Sequence, residues 1–138
     1  MIVLGKKHYG EILSHAKSAL PNEACGLLGG IVDKGVKYVE KVYLLTNSDN
    51  SPEHFSMDPK EQFAAIKDMR NNGWVMLGNF HSHPASPSRP SDEDKRLAFY
   101  PEASYLIMSL SDERNIVLKS FSISEDKASE EELVIEGE

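Results

Sequence analysis

The chain's 138 residues, 40% hydrophobic and 27% charged, suit one globular domain able to bury about two-thirds of its unfolded surface, and its single Cys25 excludes both an internal disulfide and a cysteine-rich structural zinc site. The net charge of −7 lies mostly in residues 125–138, where seven acids and one lysine give −6, so residues 1–124 carry only −1 and no basic face for a nucleic acid. No run nears the ~20 apolar residues of a membrane span, and Ile2-Val3-Leu4 ahead of Lys6-Lys7 is too short for a signal peptide, so a cytoplasmic protein without membrane contact is expected.

Tyr9, Ile12, Leu13, Ala16 and Leu20 recur at spacings of three and four, which predicts an amphipathic helix over residues 5–20 stopped by Pro21. Ala24 to Val32 is short, apolar and glycine-rich and reads as a buried strand. Gly29-Gly30 or Lys34-Gly35 bends it into a second strand over Val36–Leu45. Thr46 to Pro52 has loop composition. A second helix is predicted from Asp58 or Pro59 to Arg70, with Asp58 as cap, Pro59 at its first position, and Phe63, Ile66 and Met69 or Arg70 following at helical spacing. Trp74–Phe80 is a strand candidate. The loop after it holds Pro84, Pro87 and Pro90, none of which can continue a sheet ladder. Ser91–Tyr100 reads as a short helix, and Tyr105–Leu110 and Ile116–Ile123 as two strands joined at Ser111-Asp112-Glu113. Without a strict βαβ rhythm or a phosphate loop, this is one α/β or α+β domain.

His81-Ser82-His83 ends a predicted strand. Residues i and i+2 share one face there, so both imidazoles can point at one ion while Ser82 points away; two unrelated histidines at a core edge would give the same pattern. Ser91-Asp92-Glu93-Asp94 opens the third helix. Ser91 with an acid three residues on matches a capping box, and the same first turn can project Asp94 as a third hard ligand. Two histidines and an aspartate with an open fourth position describe a catalytic zinc rather than a structural one. Zinc lowers the pKa of bound water from about 15.7 to about 7. Peptide hydrolysis also needs a carboxylate to carry the water's proton to the leaving amine, and spacing leaves Glu11, Glu23, Glu40, Glu53, Glu61 and Glu102 all open. Cys25 and Trp74 read as core residues, His54 as a surface residue, and His8 and His15 as solvent-facing helix positions.

His81-Ser82-His83-Pro84, six residues, Ser91, two residues and Asp94 together resemble the signature of the JAMM (MPN+) metalloproteases. Pro21-Asn22-Glu23-Ala24-Cys25-Gly26-Leu27-Leu28 is similar to the setting of that family's upstream glutamate, and the likeness continues through Phe55-Ser56-Met57-Asp58-Pro59, Gly78–Pro84 and Pro101–Ile107. The resemblance implies a mixed, mainly antiparallel sheet flanked by helices over residues 1–124; in the acidic tail over 125–138, Leu133-Val134-Ile135 suits either one added strand or a disordered end. It implies one Zn2+ held by His81, His83 and Asp94, with Glu23 as general base and then acid. Ser91 would donate to the developing oxyanion, a role valued at roughly 3–4 kcal/mol per donor. On this reading one Ser91 hydroxyl has two tasks, cap and oxyanion donor, that compete.

Tyr100 follows Ser91 by only nine positions, so the insertions of the linkage-specific ubiquitin isopeptidases look absent. The compact chain resembles the small bacterial members, similar to peptidases acting on ubiquitin-like sulfur carrier proteins. That implies a metallopeptidase or isopeptidase cutting after a C-terminal Gly-Gly, in sulfur transfer or cysteine synthesis. A side-chain-free tail suits a narrow groove and can add as a strand to a sheet edge. The alternative is a non-catalytic MPN-type scaffold binding a ubiquitin-like partner, which would be expected to have lost ligands that this chain keeps.

Overall fold

In a computed structural model, residues 1–137 are described; Glu138, the last residue of the acidic tail, lies outside them. The elements are β1 (Ile2–Gly5), α1 (Lys6–Ala19), β2 (Cys25–Asp33), β3 (Val36–Leu45), α2 (Pro59–Asn71), β4 (Val75–His83), α3 (Asp92–Arg96), β5 (Ser104–Ser109), β6 (Val117–Ser124), β7 (Lys127–Glu131) and β8 (Leu133–Glu136). The strands form one sheet in the order β7-β6-β5-β4-β2-β3-β1-β8. Its β1–β3, β1–β8 and β4–β5 pairs are parallel and the other four antiparallel. This is the expected mixed, mainly antiparallel α+β architecture. Among the described residues no helix is long and apolar enough to cross a membrane.

The two longer helices pack on opposite faces. Ile12 and Ala16 of α1 join a core with Leu28, Val42, Phe80, Leu106 and Met108, while Ala65 and Met69 of α2 join Cys25, Leu27, Tyr43 and Leu45. The sheet is therefore buried on both sides, which accounts for the run of apolar residues and glycines in β2. A Cβ on Gly26 would overlap the ring of Phe80 across the β2–β4 pair, so glycine lets that ring lie against β2 next to His81.

Three expectations need correction. Of the apolar line predicted for α2 only Met69 is buried: it faces the sheet together with Ala65, whereas Phe63 is 71% exposed and Ile66 lies at the surface. The third helix stops at Arg96 instead of reaching Tyr100. Leu97, Phe99 and Tyr100 have no core to cover, and the Tyr105 hydroxyl captures the Tyr100 backbone, accepting from its N–H at 3.2 Å and donating to its carbonyl at 3.1 Å. The acidic tail contributes two strands instead of one, at opposite ends of the strand order, with only Glu132 between them. One residue spans at most ~7 Å between the Cα atoms flanking it, so the sheet must curl until its two edges meet there.

Candidate active site

β4 runs parallel to β5 and ends at His83, where Pro84 stops the ladder; β2 enters from the same end, with Cys25 opposite His81. This places the histidines at the carboxyl ends of two parallel strands, next to a usual location for ligand sites. The alternation of β4 works as expected. His81 and His83 face the α2 side, and Ser82 turns the other way, where its Oγ accepts from the Ala24 N–H at 2.8 Å and its own N–H donates to the Ala24 carbonyl at 3.0 Å.

α3 supplies the third donor. Ser91 Oγ accepts from the Asp94 N–H at 3.0 Å, and Asp94 Oδ2 accepts from the Ser91 N–H at 2.9 Å, a complete capping box. That box fixes Asp94 so that Oδ2 stands 3.1 Å from both His81 Nε2 and His83 Nε2, which are themselves 3.1 Å apart. Cap and ligand are thus one arrangement. Because the cap uses Ser91 Oγ as an acceptor, its hydroxyl hydrogen is left to donate elsewhere, which removes the competition expected from sequence.

The donor set fits a metal ion. Among the described residues, His81, His83 and Asp94 are the one group of three whose ligating atoms lie mutually within 4.8 Å. Tetrahedral zinc with bonds of about 2.0–2.1 Å spaces its donors about 3.3 Å apart, close to the observed triangle. His83 Nδ1 donates to the Pro87 carbonyl at 2.9 Å, which leaves Nε2 of the neutral ring with a lone pair facing a carboxylate oxygen. Lone pairs at 3.1 Å require a cation or a proton between them. Phe55 stacks on His81 with ring centres 4.7 Å apart, holding that ring in plane. Although burial works against it, the facing His81 and His83 rings and the Ser91 N–H hold the Asp94 carboxyl well below the usual carboxylate range. Burial pulls His81 down, as suits a neutral ligand.

Of the six open glutamates, only Glu23 is buried, at 3% exposure. Its N–H donates to the Ser51 carbonyl at 2.8 Å and its carbonyl accepts from Asn47 Nδ2 at 3.0 Å. Among the described residues, its carboxyl oxygen Oε1 has no hydrogen-bond partner. Burial raises its pKa from 4.5 to about 8, with His83 opposing the shift and Asp94 adding to it. Glu23 is not one of the three clustered donors but stands beside them. Burial also pushes the Cys25 thiol up to about 12, so it is no thiolate nucleophile at neutral pH.

Two supporting residues escaped the sequence reading. Asn47, scored there only as loop, uses its whole amide: Nδ2 reaches the carbonyls of Glu23 and His54, and Oδ1 accepts from the N–H groups of Asp49 and Ser56. The Asn-Ser-Asp turn was its one visible signal. His15, expected in solvent, is half-buried with Nε2 3.1 Å from the Cys25 carbonyl and 3.0 Å from that of Leu45, tying α1 to the site end of β2 and β3. His54 stays exposed, its Nδ1 3.1 Å from Asp49 Oδ2.

The family model of prokaryotic homologs of the JAB domain matches residues 5–124. The CysO-cysteine peptidase of Mycobacterium tuberculosis is 32% identical over 120 residues, covering 87% of this chain and 81% of the relative. The desampylase of Haloferax volcanii is 33% identical over 103 residues, covering 71% and 73%. Among solved structures, a Desulfitobacterium hafniense protein is 63% identical with a TM-score of 0.92, over 100% of this chain and 94% of its own. A JAB1/MPN domain protein of Archaeoglobus fulgidus is 28% identical with a TM-score of 0.62 over 98% of each. Fold, donor cluster and relatives agree, and the chain belongs to the prokaryotic JAB-domain family.

Proposed function

We propose that the protein is a zinc-dependent peptidase that hydrolyses the bond after the C-terminal Gly-Gly of a ubiquitin-like sulfur carrier protein. The observation that carries this reading is Glu23: a buried acid with an unpartnered oxygen beside three convergent metal donors. His81, His83 and Asp94 would hold the ion, with His83 oriented by the Pro87 carbonyl and Asp94 by the Ser91 N–H. When bound, zinc supplies a Lewis acid that brings the pKa of water to about 7 and, as a neighbouring cation, favours the carboxylate form of Glu23.

The chain's residues then divide the work. Glu23 Oε1 takes a proton from the attacking water and returns it to the leaving nitrogen as the C–N bond breaks. The Ser91 hydroxyl, whose hydrogen is not used by the cap, donates to the carbonyl oxygen as it gains charge. Ser82 and Asn47 hold the backbone around Glu23 so that the proton is carried over a fixed distance. The names of the relatives support this substrate class, since one is a CysO-cysteine peptidase and another a desampylase.

The test is intact mass spectrometry on a sulfur carrier extended by one cysteine after Gly-Gly, incubated with zinc-loaded, chelator-treated and Glu23→Gln protein. Loss of the extra residue with the zinc-loaded wild type alone is the expected result. Binding of the carrier with no cleavage under any condition would favour the scaffold.

A further inference from the structure

Beside the donor cluster, a groove of about 470 Å³ runs between α2 and the segment around Tyr100, walled by Leu27, Met57, Ile66, Trp74, Met76 and Tyr100. Two half-buried amides line it, Gln62 and Asn79. Asn79 lies on β4 two residues before His81 and so shares the face of both histidines. Of the other polar residues there, Gln62 already donates its Nε2 to the Met57 carbonyl, and Arg70 is on the exposed side of α2.

An extended peptide crossing this face cannot join the sheet. β4 is flanked by β2 and β5, β2 by β3 and β4, and β5 by β4 and β6, so none of the strands under the site has a free edge. The expected strand addition is therefore not available at these strands. Backbone N–H and C=O groups buried against the groove must be met by side chains instead. An asparagine amide offers a donor and an acceptor in one plane, the pattern a peptide group presents in reverse. Asn47 engages all of its amide in loop backbone, whereas Asn79 lines the groove. At ~3.4 Å per residue, Asn79 is two extended residues away from His81. A single-residue leaving group would not fill a groove of that size, so the groove is matched to the carrier side of the bond.

We infer that Asn79 is a substrate-positioning residue, whose side-chain amide pairs with the backbone of the carrier's tail about two residues before the scissile bond. The inference rests on the peptidase reading above. It is tested with zinc-loaded wild type and Asn79→Leu, a change of similar volume that removes the amide, using a ubiquitin-fold carrier ending Gly-Gly-Cys. Expected are a KM about tenfold higher for Asn79→Leu, a loss that falls on KM rather than kcat, and unaltered zinc stoichiometry. In parallel, the side-chain NH2 resonances of Asn79 in Glu23→Gln protein should shift on titration with the same carrier. A wild-type KM in Asn79→Leu, or NH2 resonances that stay fixed at saturation, overturns the assignment while leaving the peptidase intact. A wild type that neither binds nor cleaves the carrier overturns the peptidase reading and this inference together.

Discussion

Glu23 and Glu131 occupy opposite ends of the same sheet and meet opposite surroundings. Glu131 lies by Ser104, at the start of β5, and its Oε1 accepts from Ser104 Oγ at 2.6 Å and Ser120 Oγ at 2.7 Å. Lys37 reaches the same Ser104 at 2.8 Å, and the chain's terminal amine stands 3.6 Å from Glu131 Oε2. Burial raises the Glu131 pKa, but the two serine hydroxyls and these cations outweigh it and bring it below the ordinary value. Glu23, by the exit of β4, has no such partners for Oε1, and burial pushes it up to about 8. A satisfied buried acid belongs to the fold; an unsatisfied one beside a donor cluster marks chemistry. Glu131 also pins the point where the curled sheet meets itself, between β7 and β8.

The contrast can be broken in several places. Chelation should have the largest effect, taking hydrolysis to background, with recovery on adding one equivalent of zinc, followed by the mass assay. Next, Glu23→Gln should lower turnover by about 10²–10⁴-fold with zinc still bound. Ser91→Ala should cost about 10²–10³-fold in kcat but only about 1 kcal/mol of stability by urea unfolding, since the cap and the donor use different parts of one hydroxyl. At the other end of the sheet, Glu131→Ala should destabilise by about 2–3 kcal/mol, because the fully buried Ser104 and Ser120 lose their acceptor. Turnover per folded molecule should not change.

The smallest effect sharpens the comparison through pH. Below pH 4.5 Glu23 is protonated in both the folded and the unfolded chain. Between 4.5 and about 8 the unfolded chain ionises while the folded one keeps its proton, so stability falls as pH rises. Metal-free Glu23→Gln should therefore be more stable than wild type at pH 8, with the gain vanishing near pH 4. Glu131 has the reverse sign: its contribution is present above the ordinary glutamate pKa and is lost as pH falls through its lowered value. Thermal unfolding of both variants across pH 4–8 reads the two slopes directly.

The candidate metal donors were legible because each is written locally, the histidines by strand alternation and Asp94 by a capping pattern three residues long. The choice of Glu23 among six glutamates rested on resemblance alone, because burial is a tertiary property that Ser51, Asn47 and Ser82 create together across separate segments. The face of α2 misled for a related reason. Phe63 and Ile66 have helical spacing, but the small Ala65 lets the helix settle onto the sheet by another line, leaving them at the surface near the groove. β7 was invisible because Lys127-Ala128-Ser129-Glu130-Glu131 has no apolar alternation; its one inward side chain is an acid that meets two serines. Leu133-Val134-Ile135 was readable as a strand, but not as the strand that brings the sheet's edges together.

The most direct test of the account is the rate of carrier cleavage by zinc-loaded Glu23→Gln, measured beside Glu131→Gln with thermal midpoints for both. The account predicts that Glu23→Gln binds zinc, holds its midpoint and loses cleavage, while Glu131→Gln loses midpoint and still cleaves when folded. Wild-type cleavage by zinc-loaded Glu23→Gln would contradict it.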